Sequence, residues 1–226
     1  VAEGIVTLDA APGANRIEVV AFNGGNQVRS AAGVLDLAAR EAAPARLVGA
    51  AFGIGQYASP RANLRFPAKD ARDIARDLAT AARPLFGAGN IPPPVVLTDQ
   101  AATRRGILER LAAIGRDLKP QDVLVVYIAS HGVMDDGEYA MVTHEFDGRL
   151  SDSNSIGAGE IVRLARDARA LKQIWVLDTC HAGGIGRSLR GLMDAQVSVL
   201  ARQAGVHMMA AANTAEQAKD GHKGNG

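Results

Sequence analysis

The chain of 226 residues is long enough for one substantial hydrophobic core and a small appendage, and its 47% hydrophobic and 22% charged residues are typical of a globular protein. Its net charge of +1 gives no electrostatic basis for nucleic acid or an anionic membrane as the main partner, and no apolar run approaches the roughly 18 residues of a membrane span. The single cysteine excludes an internal disulfide and no targeting leader is visible, so we expect a cytoplasmic location.

Residues 1–45 are predicted to form a separate β-rich unit. Three β-like runs, at residues 4–9, 16–22 and 27–37, are divided by turn residues, and the sequence NGGN at residues 23–26 is a good hairpin signal. Three strands this short would be marginally stable alone. Two interpretations stay open: a remnant of an immunoglobulin-like β-sandwich, and a β-flap that docks on the following domain.

Residues 46–226 are predicted to form an α/β domain with a mostly parallel central sheet and helices on both faces, because buried-strand patterns and helical periodicities alternate. The strands are expected at residues 45–54, 95–97, 122–129, 174–177 and 206–211, and the helices at residues 67–83, 103–118, 158–168 and 188–203. A small hairpin strand is expected at residues 137–143 and a polar, mobile loop at residues 144–159. In the first helix, the apolar residues at helical spacing are Ala71, Ile74, Ala75 and Leu78.

A glycine pair after the first of these strands raises one alternative. The sequence GIG at residues 53–55 matches part of a dinucleotide-binding fingerprint, but Ala58 stands where the third glycine would be. A nucleotide-binding α/β domain is therefore a disfavoured interpretation.

Two of the predicted strands end in residue types that catalyse peptide hydrolysis. The strand at 122–129 leads into Ser130, His131 and Gly132, and the strand at 174–177 leads into the sequence DTCHAGG, which contains Cys180. The carboxyl ends of parallel strands meet at one edge of an open sheet, where such folds place their chemistry. Cys180 lies 49 residues after His131, close to the spacing of about 50 residues seen in caspases.

These motifs resemble those of the caspase/metacaspase family of cysteine peptidases, which have the caspase–haemoglobinase fold. The metacaspase and bacterial caspase-like branch is the nearer match, because caspases proper carry Gln-Ala-Cys where this chain has Asp178, Thr179 and Cys180. The resemblance covers about three quarters of the chain. It implies that a C-terminal part of the domain is missing, and that the chain belongs to a longer parent with covalently fused modules.

The resemblance implies a cysteine endopeptidase that acts on protein or peptide substrates. His131 would activate the Cys180 thiol as a base or ion-pair partner, and the backbone N–H groups of Gly132 and Cys180 would hold the oxyanion. A lone cysteine is more often an inert small hydrophobic residue, but the pairing with His131 and the flanking glycines favours catalysis. The alternative is a catalytically silent caspase-like domain that serves as a binding or assembly module.

Specificity is predicted from an acidic residue beside the nucleophile. Asp178 precedes Cys180 by two positions, so both face the same side of a strand and the carboxylate would attract a basic substrate side chain. Metacaspase-like enzymes add a second aspartate from a Cys-x-x-Asp segment, which resembles Pro67–Asp70 here without its cysteine. We therefore expect cleavage after Arg or Lys, with Asp70 as the second pocket residue. Arg187 and Arg190 are then candidate self-cleavage sites.

No cofactor is expected to be required. A zinc site from His131, Cys180 and Asp178 lacks the usual ligand spacing, and calcium, which some metacaspases use, has no dense acidic loop to support it. The remaining histidines are expected to be structural or exposed; they are His144, His181, His207 and His222.

Overall fold

The computed structural model of the chain describes residues 5–8, 10, 13–23, 28–39, 44–135, 138–181, 201 and 206–210; at residues 134–135, 180–181 and 210 the description covers the backbone alone. The chain divides into two compact units, Val1–Pro44 and Ala45–Gly226. The helix predicted at residues 188–203 falls almost wholly outside the described residues, as do Arg187, Arg190 and His222.

The first unit contains an antiparallel pair of strands, β1 (Gly13–Val19) and β2 (Gly33–Ala39). Between them, an isolated bridge joins Phe22 to Arg29, so the chain reverses where the NGGN sequence predicted a hairpin. The strand predicted at residues 4–9 is wrong for the described part of that run, because residues 5–8 lie outside any strand and Ile5 is 99% exposed.

The second unit contains a seven-stranded sheet among its described residues, together with four α-helices. The strands are β3 (Leu47–Gly53), β4 (Val95–Thr98), β5 (Val123–Asp135), β6 (Glu138–Val142), β7 (Ser155–Gly157), β8 (Lys172–His181) and β9 (His207–Ala210). The helices are α1 (Pro67–Ala81), α2 (Arg83–Phe86), α3 (Arg104–Asp117) and α4 (Ala158–Asp167).

The sheet is mostly parallel. Strands β4, β3, β5, β8 and β9 run side by side in the same direction, whereas β6 pairs antiparallel with the carboxyl-terminal half of β5 and β7 pairs antiparallel with β6. The short β7 lies inside the segment that the sequence predicted to be a loop.

Helices cover both faces of this sheet, as the sequence predicted. On one face, Val126, Ile128 and Trp175 pack with α3 and α4 through Ile107 and Ile161. Residues one position along each strand point the other way, because side chains alternate across a strand. On that second face the sheet packs against α1, and the cluster consists of Ala51, Ala71, Ala75, Tyr127 and Ala129.

Fewer residues of α1 are buried against the sheet than its apolar periodicity predicted. Ala71 and Ala75 are buried, but Ile74 is 41% exposed. A close approach explains this, since a Cβ atom added to Gly53 would overlap the carbonyl oxygen of Pro67 at the start of α1. Small residues of the helix, Ala71 and Ala75, therefore face the strand near this close approach. The same contact explains Gly53 by packing, without a bound nucleotide.

Strands β5 and β8 extend further than the sequence predicted. The prediction ended them at Ala129 and Leu177, before the polar residues of the two motifs. In the structure the parallel pairing continues to Gly132 and His181, and β5 then gains β6 as a new partner. His131 and Cys180 therefore lie within paired strands, not at free strand ends.

An ion pair joins the beginnings of β3 and β5. The Asp122 carboxylate is almost fully buried and accepts hydrogen bonds from Arg46 Nη2 at 2.8 Å, from the Arg46 backbone N–H at 2.9 Å and from the Lys119 backbone N–H at 2.9 Å. Burial acts to raise the pKa of Asp122, but the bonds from Arg46 and Lys119 outweigh it and hold the pKa below its usual value.

We predict that Asp122→Ala lowers the free energy of unfolding by about 3 kcal/mol, the lower end of the cost of breaking a buried ion pair, because the Arg46 guanidinium keeps some contact with water. Urea unfolding at pH 7 measures this. Folding lowers the pKa of Asp122. The stabilisation by the ion pair is therefore complete above the pKa that Asp122 has in the unfolded chain, and it is lost as the pH falls through the pKa that Asp122 has in the folded chain. The difference between the two proteins should therefore shrink in acid. Glu109→Ala, which removes an exposed pair with Arg105, should change stability little, and equal effects of both substitutions would contradict the prediction.

Candidate active site

The backbone brings the predicted catalytic pair to directly opposite positions on neighbouring strands. In the parallel register of β5 and β8, the Cα of His131 is paired with that of Cys180, and Gly132 with His181. Adjacent strands of a sheet lie about 4.7–4.9 Å apart. Residues separated by 49 positions in sequence are thus neighbours at the same level of the sheet.

The His131 side chain is buried, with 7% of its surface exposed, and the structure fixes it on two sides. Its Nε2 lies 2.8 Å from the carbonyl oxygen of Ala62. Its ring stacks on the ring of Tyr57 with the centroids 5.2 Å apart and the planes at 29°, and its backbone N–H donates to the Tyr57 hydroxyl at 3.0 Å.

The contact with Ala62 decides which nitrogen of the neutral imidazole carries the proton. A carbonyl oxygen can only accept a hydrogen bond, so Nε2 must be the donor, and the lone pair is left on Nδ1. Nδ1 is buried and has no hydrogen-bond partner among the described residues. A proton taken up by this imidazole would therefore arrive at Nδ1.

Ala62 and Tyr57 both belong to residues 55–64, named here the β3–α1 loop, which internal and external hydrogen bonds hold in place. The Asp99 carboxylate accepts the backbone N–H groups of Gly55 and Gln56 at 2.9 and 3.0 Å, from a backbone conformation with a φ of 48° that is uncommon for aspartate. Within the loop, Asn63 Oδ1 accepts the N–H of Tyr57 at 2.9 Å. The loop therefore presents a fixed carbonyl and a fixed ring to His131.

Asp178 lies on β8, two residues before Cys180, and its carboxylate accepts a hydrogen bond of 2.6 Å from the Tyr127 hydroxyl. Burial raises the pKa of Asp178, and the bond from Tyr127 acts in the opposite direction. Tyr127 belongs to the cluster that faces α1. Asp178 therefore reaches into the α1 side of the sheet.

Asp70, the second predicted pocket residue, lies in the first turn of α1 and is 7% exposed. Its neighbour Ala71 packs in the same cluster as Tyr127. Asp70 and Asp178 thus belong to the same side of the sheet. An acidic residue in the first turn of a helix is common, because the helix dipole favours negative charge there. Asp70 differs from an ordinary first-turn acid in that it is buried.

Two of the remaining histidines lie in the described part of the chain with their side chains. His144 Nδ1 lies 2.7 Å from the carbonyl oxygen of Gln56, and His207 is exposed. Across the described ranges, no three His, Cys, Asp or Glu side chains converge as a metal site requires. No helix in the described part of the chain is long and apolar enough to cross a membrane.

The sequence matches the family model of the caspase domain over residues 49–226. This chain belongs to the caspase-domain family. Membership implies cysteine peptidase activity in general.

Two solved structures share features of the fold. The caspase-family domain resembles the crystal structure of a Geobacter sulfurreducens protein with a TM-score of 0.55 and 14% sequence identity, over 78% of this chain and 76% of the other. It also matches the Drosophila initiator caspase Dronc with a TM-score of 0.45 and 9% identity, over 80% of this chain and 64% of the other. A search of curated protein sequences gave no significant match.

Three residues of this site were missed by the sequence analysis. Ala62 contributes a backbone carbonyl, and no side-chain pattern signals that. Tyr57 lies in a loop, and no pattern signals its contact with His131. Tyr127 had a usable signal only after the strands were aligned. Tyr127 shares the strand face of His131, at an interval of four residues, and once β5 and β8 are adjacent and parallel it falls beside Asp178.

We predict that Tyr127→Phe raises the pKa of Asp178 further, because the substitution removes a hydrogen bond that favours the charged carboxylate and leaves the burial in place. Titration of the Asp178 carboxyl carbon by NMR measures the change. Tyr139→Phe is the matched control, since Tyr139 is another buried tyrosine and its hydroxyl contacts Thr179 Oγ1 instead. An Asp178 pKa that stays constant or falls in Tyr127→Phe would show that the hydroxyl does not stabilise the carboxylate.

Proposed function

We propose that this caspase-family domain is a cysteine endopeptidase with a Cys180–His131 dyad that cleaves after Arg or Lys. The observation that carries the proposal is the register of β5 and β8, which pairs these two residues at one level, together with the fixed position of the His131 ring. The substrate is a protein or peptide, and every catalytic group named below is supplied by the chain itself.

The proposed reaction begins with a proton transfer. A free cysteine thiol has a pKa of about 8.5 and is mostly protonated at neutral pH. Nδ1 of His131 takes the thiol proton, and the Cys180 thiolate attacks the carbonyl carbon of the scissile peptide bond. A C–S bond forms, and the carbonyl electrons move to the oxygen. The N–H groups of Gly132 and Cys180 are the proposed donors to this oxyanion.

Collapse of the tetrahedral intermediate breaks the C–N bond. The leaving amine takes the proton from Nδ1, which leaves a thioester on Cys180 and a neutral imidazole. Water then attacks the thioester, with Nδ1 as the base, and the thiol leaves with the proton that Nδ1 returns. The Ala62 carbonyl supports every step, because it holds the ring through Nε2 while Nδ1 gains and loses a proton.

The preference for a basic side chain rests on the setting of Asp178. This carboxylate is partly buried and receives one hydrogen bond from Tyr127, and burial makes its charge costly in the absence of a cation. A substrate guanidinium or ammonium group would compensate that cost with charge-assisted hydrogen bonds. Asp70 is the proposed second acid. An acidic substrate side chain would add repulsion between like charges.

A panel of fluorogenic peptides that differ only in the residue before the cleaved bond tests the proposal. We expect turnover of the Arg and Lys peptides by the native chain, none by Cys180→Ala or His131→Ala, and none of the Asp peptide. Asp178→Asn should lower kcat/KM for the Arg peptide by about 10–100-fold, equivalent to the 1.5–3 kcal/mol of a hydrogen bond to a charged group. Glu109→Gln, an acid on the outer side of α3, is the control and should leave kcat/KM unchanged.

The outcomes separate the alternatives. No turnover of any peptide by the folded native chain, equal to Cys180→Ala, would establish the silent binding or assembly module. Turnover that prefers an acidic residue would overturn the Arg/Lys specificity and retain the peptidase.

Self-cleavage at Arg187 or Arg190 follows from the proposed specificity, since both residues come shortly after Cys180 in sequence. Intact-mass measurement of the purified native chain should show two fragments, and the Cys180→Ala chain should stay whole. The double variant Arg187→Gln/Arg190→Gln should stay whole but hydrolyse the Arg peptide. An active native chain that shows only its full mass would refute self-cleavage.

A further inference from the structure

Tyr57 contacts His131 at both its backbone and its ring. The hydroxyl accepts the His131 backbone N–H at 3.0 Å, and the two rings stack with 5.2 Å between centroids. Tyr57 is 5% exposed and His131 7% exposed, so both contacts are shielded from water. The sequence analysis assigned no role to Tyr57.

The hydroxyl fills a gap in the sheet. Strand β3 pairs with β5 as far as Ala129, and β6 pairs with β5 from Gly132 onward. Ser130 and His131 fall between these two partners on the same side of β5. The His131 N–H points into this gap, and the Tyr57 hydroxyl takes the place of the missing strand carbonyl. An unsatisfied N–H buried there would cost stability or shift the strand.

The ring contact and the Ala62 carbonyl act from the same loop. Tyr57 stacks on one face of the imidazole while Ala62 binds its Nε2. Phe146 packs edge-on against Tyr57 with 6.3 Å between centroids, which supports the tyrosine from behind. The imidazole can therefore neither tilt nor rotate without breaking a contact to the β3–α1 loop.

We propose that Tyr57 is a positioning residue of the peptidase: it fixes the backbone and ring of His131 so that Nε2 stays on Ala62 and Nδ1 stays open toward Cys180. This inference rests on the proposed dyad. The hydroxyl sets the place of His131 along β5, and the ring sets the plane of the imidazole. Because Tyr57 acts through His131 and not on the substrate, its loss reduces kcat and leaves KM nearly unchanged.

Two substitutions separate the two contacts. Tyr57→Phe keeps the ring and removes the acceptor, and Tyr57→Leu removes both. We expect kcat for the Arg peptide to fall about 10-fold in the Phe variant and about 100-fold in the Leu variant, the scale of loss from a misplacement of about 1 Å. The ratio of kcat in Tyr57→Phe to kcat in Tyr57→Leu would measure the contribution of the ring contact alone. Ile107→Val, a buried change on α3 within the same core cluster as Tyr57, controls for lost stability and should retain kcat.

Two readouts do not depend on turnover. Cys180 is the only cysteine, so its alkylation by iodoacetamide at pH 7 reports thiolate formation; the rate should fall in both Tyr57 variants and stay constant in Ile107→Val. The ¹⁵N NMR signals of His131 should show a proton on Nε2 in the native chain and a mixture of tautomers in Tyr57→Leu. A tyrosine that only fills space would be replaced by Phe without change in the alkylation rate.

The results distinguish failure of this inference from failure of the proposed function. If Tyr57→Phe and Tyr57→Leu keep the kcat, the alkylation rate and the tautomer of the native chain, the positioning role is overturned and the proposed peptidase function stands. An inactive native chain whose alkylation rate and tautomer still change with Tyr57 would overturn the peptidase and retain the positioning role. If Tyr57→Leu does not fold, Tyr57→Phe decides, with its folding checked by urea unfolding.

Discussion

The pairing of β5 with β8 is the constraint on which the rest of the structure depends. Ten consecutive residue pairs join the two strands in parallel, from Val123 with Lys172 to Gly132 with His181. The same register that places Trp175 and Leu177 in the core on one face sets His131 opposite Cys180. A shift by one residue would turn every side chain of one strand to the other face, so the hydrophobic core and the candidate site are specified together. Burial of the core thereby stabilises the alignment that the proposed chemistry requires.

Two aspartates of these strands show how the surroundings decide the behaviour of one residue type. Asp122 and Asp178 are both removed from water to a large degree, and burial acts to raise the pKa of each. Asp122 receives a guanidinium and two backbone N–H groups, so its pKa is lowered. Within the described part of the chain, Asp178 receives the Tyr127 hydroxyl, and its pKa stays raised. The first is fully compensated within the chain and stabilises the fold. In the proposed pocket, a basic substrate side chain would supply the charge that compensates the second.

The sequence predicted the architecture of the second unit well, since its signals are strong ones. Buried runs and helical periodicity gave β3, β4, β5, β8, α1, α3 and α4. Thr103 caps α3 by accepting the Gly106 N–H at 3.0 Å. The ends of β5 and β8 were wrong, because polar residues such as Ser130 and Thr179 look like the start of a loop. In the fold, their backbones remain paired, and only the partner strands reveal this.

For the candidate site, the sequence predicted residue types whose chemistry is visible in their side chains. His131, Cys180 and Asp178 stood out by composition and spacing. Tyr57 did not, since a tyrosine in a loop has many ordinary roles and its contact with His131 arises from the gap between β3 and β6. Such contacts depend on how three separate segments meet, and no local pattern in the chain records that meeting.

The use of a main-chain oxygen at Ala62 has a consequence for how this site can change over time. A carbonyl is present whatever side chain the position carries, so drift at residue 62 leaves the contact with His131 intact as long as the loop keeps its path. Alanine scanning would pass over it, because residue 62 is already alanine. The contact depends instead on Asp99 and Asn63, whose side chains accept backbone N–H groups of the loop and so hold its path.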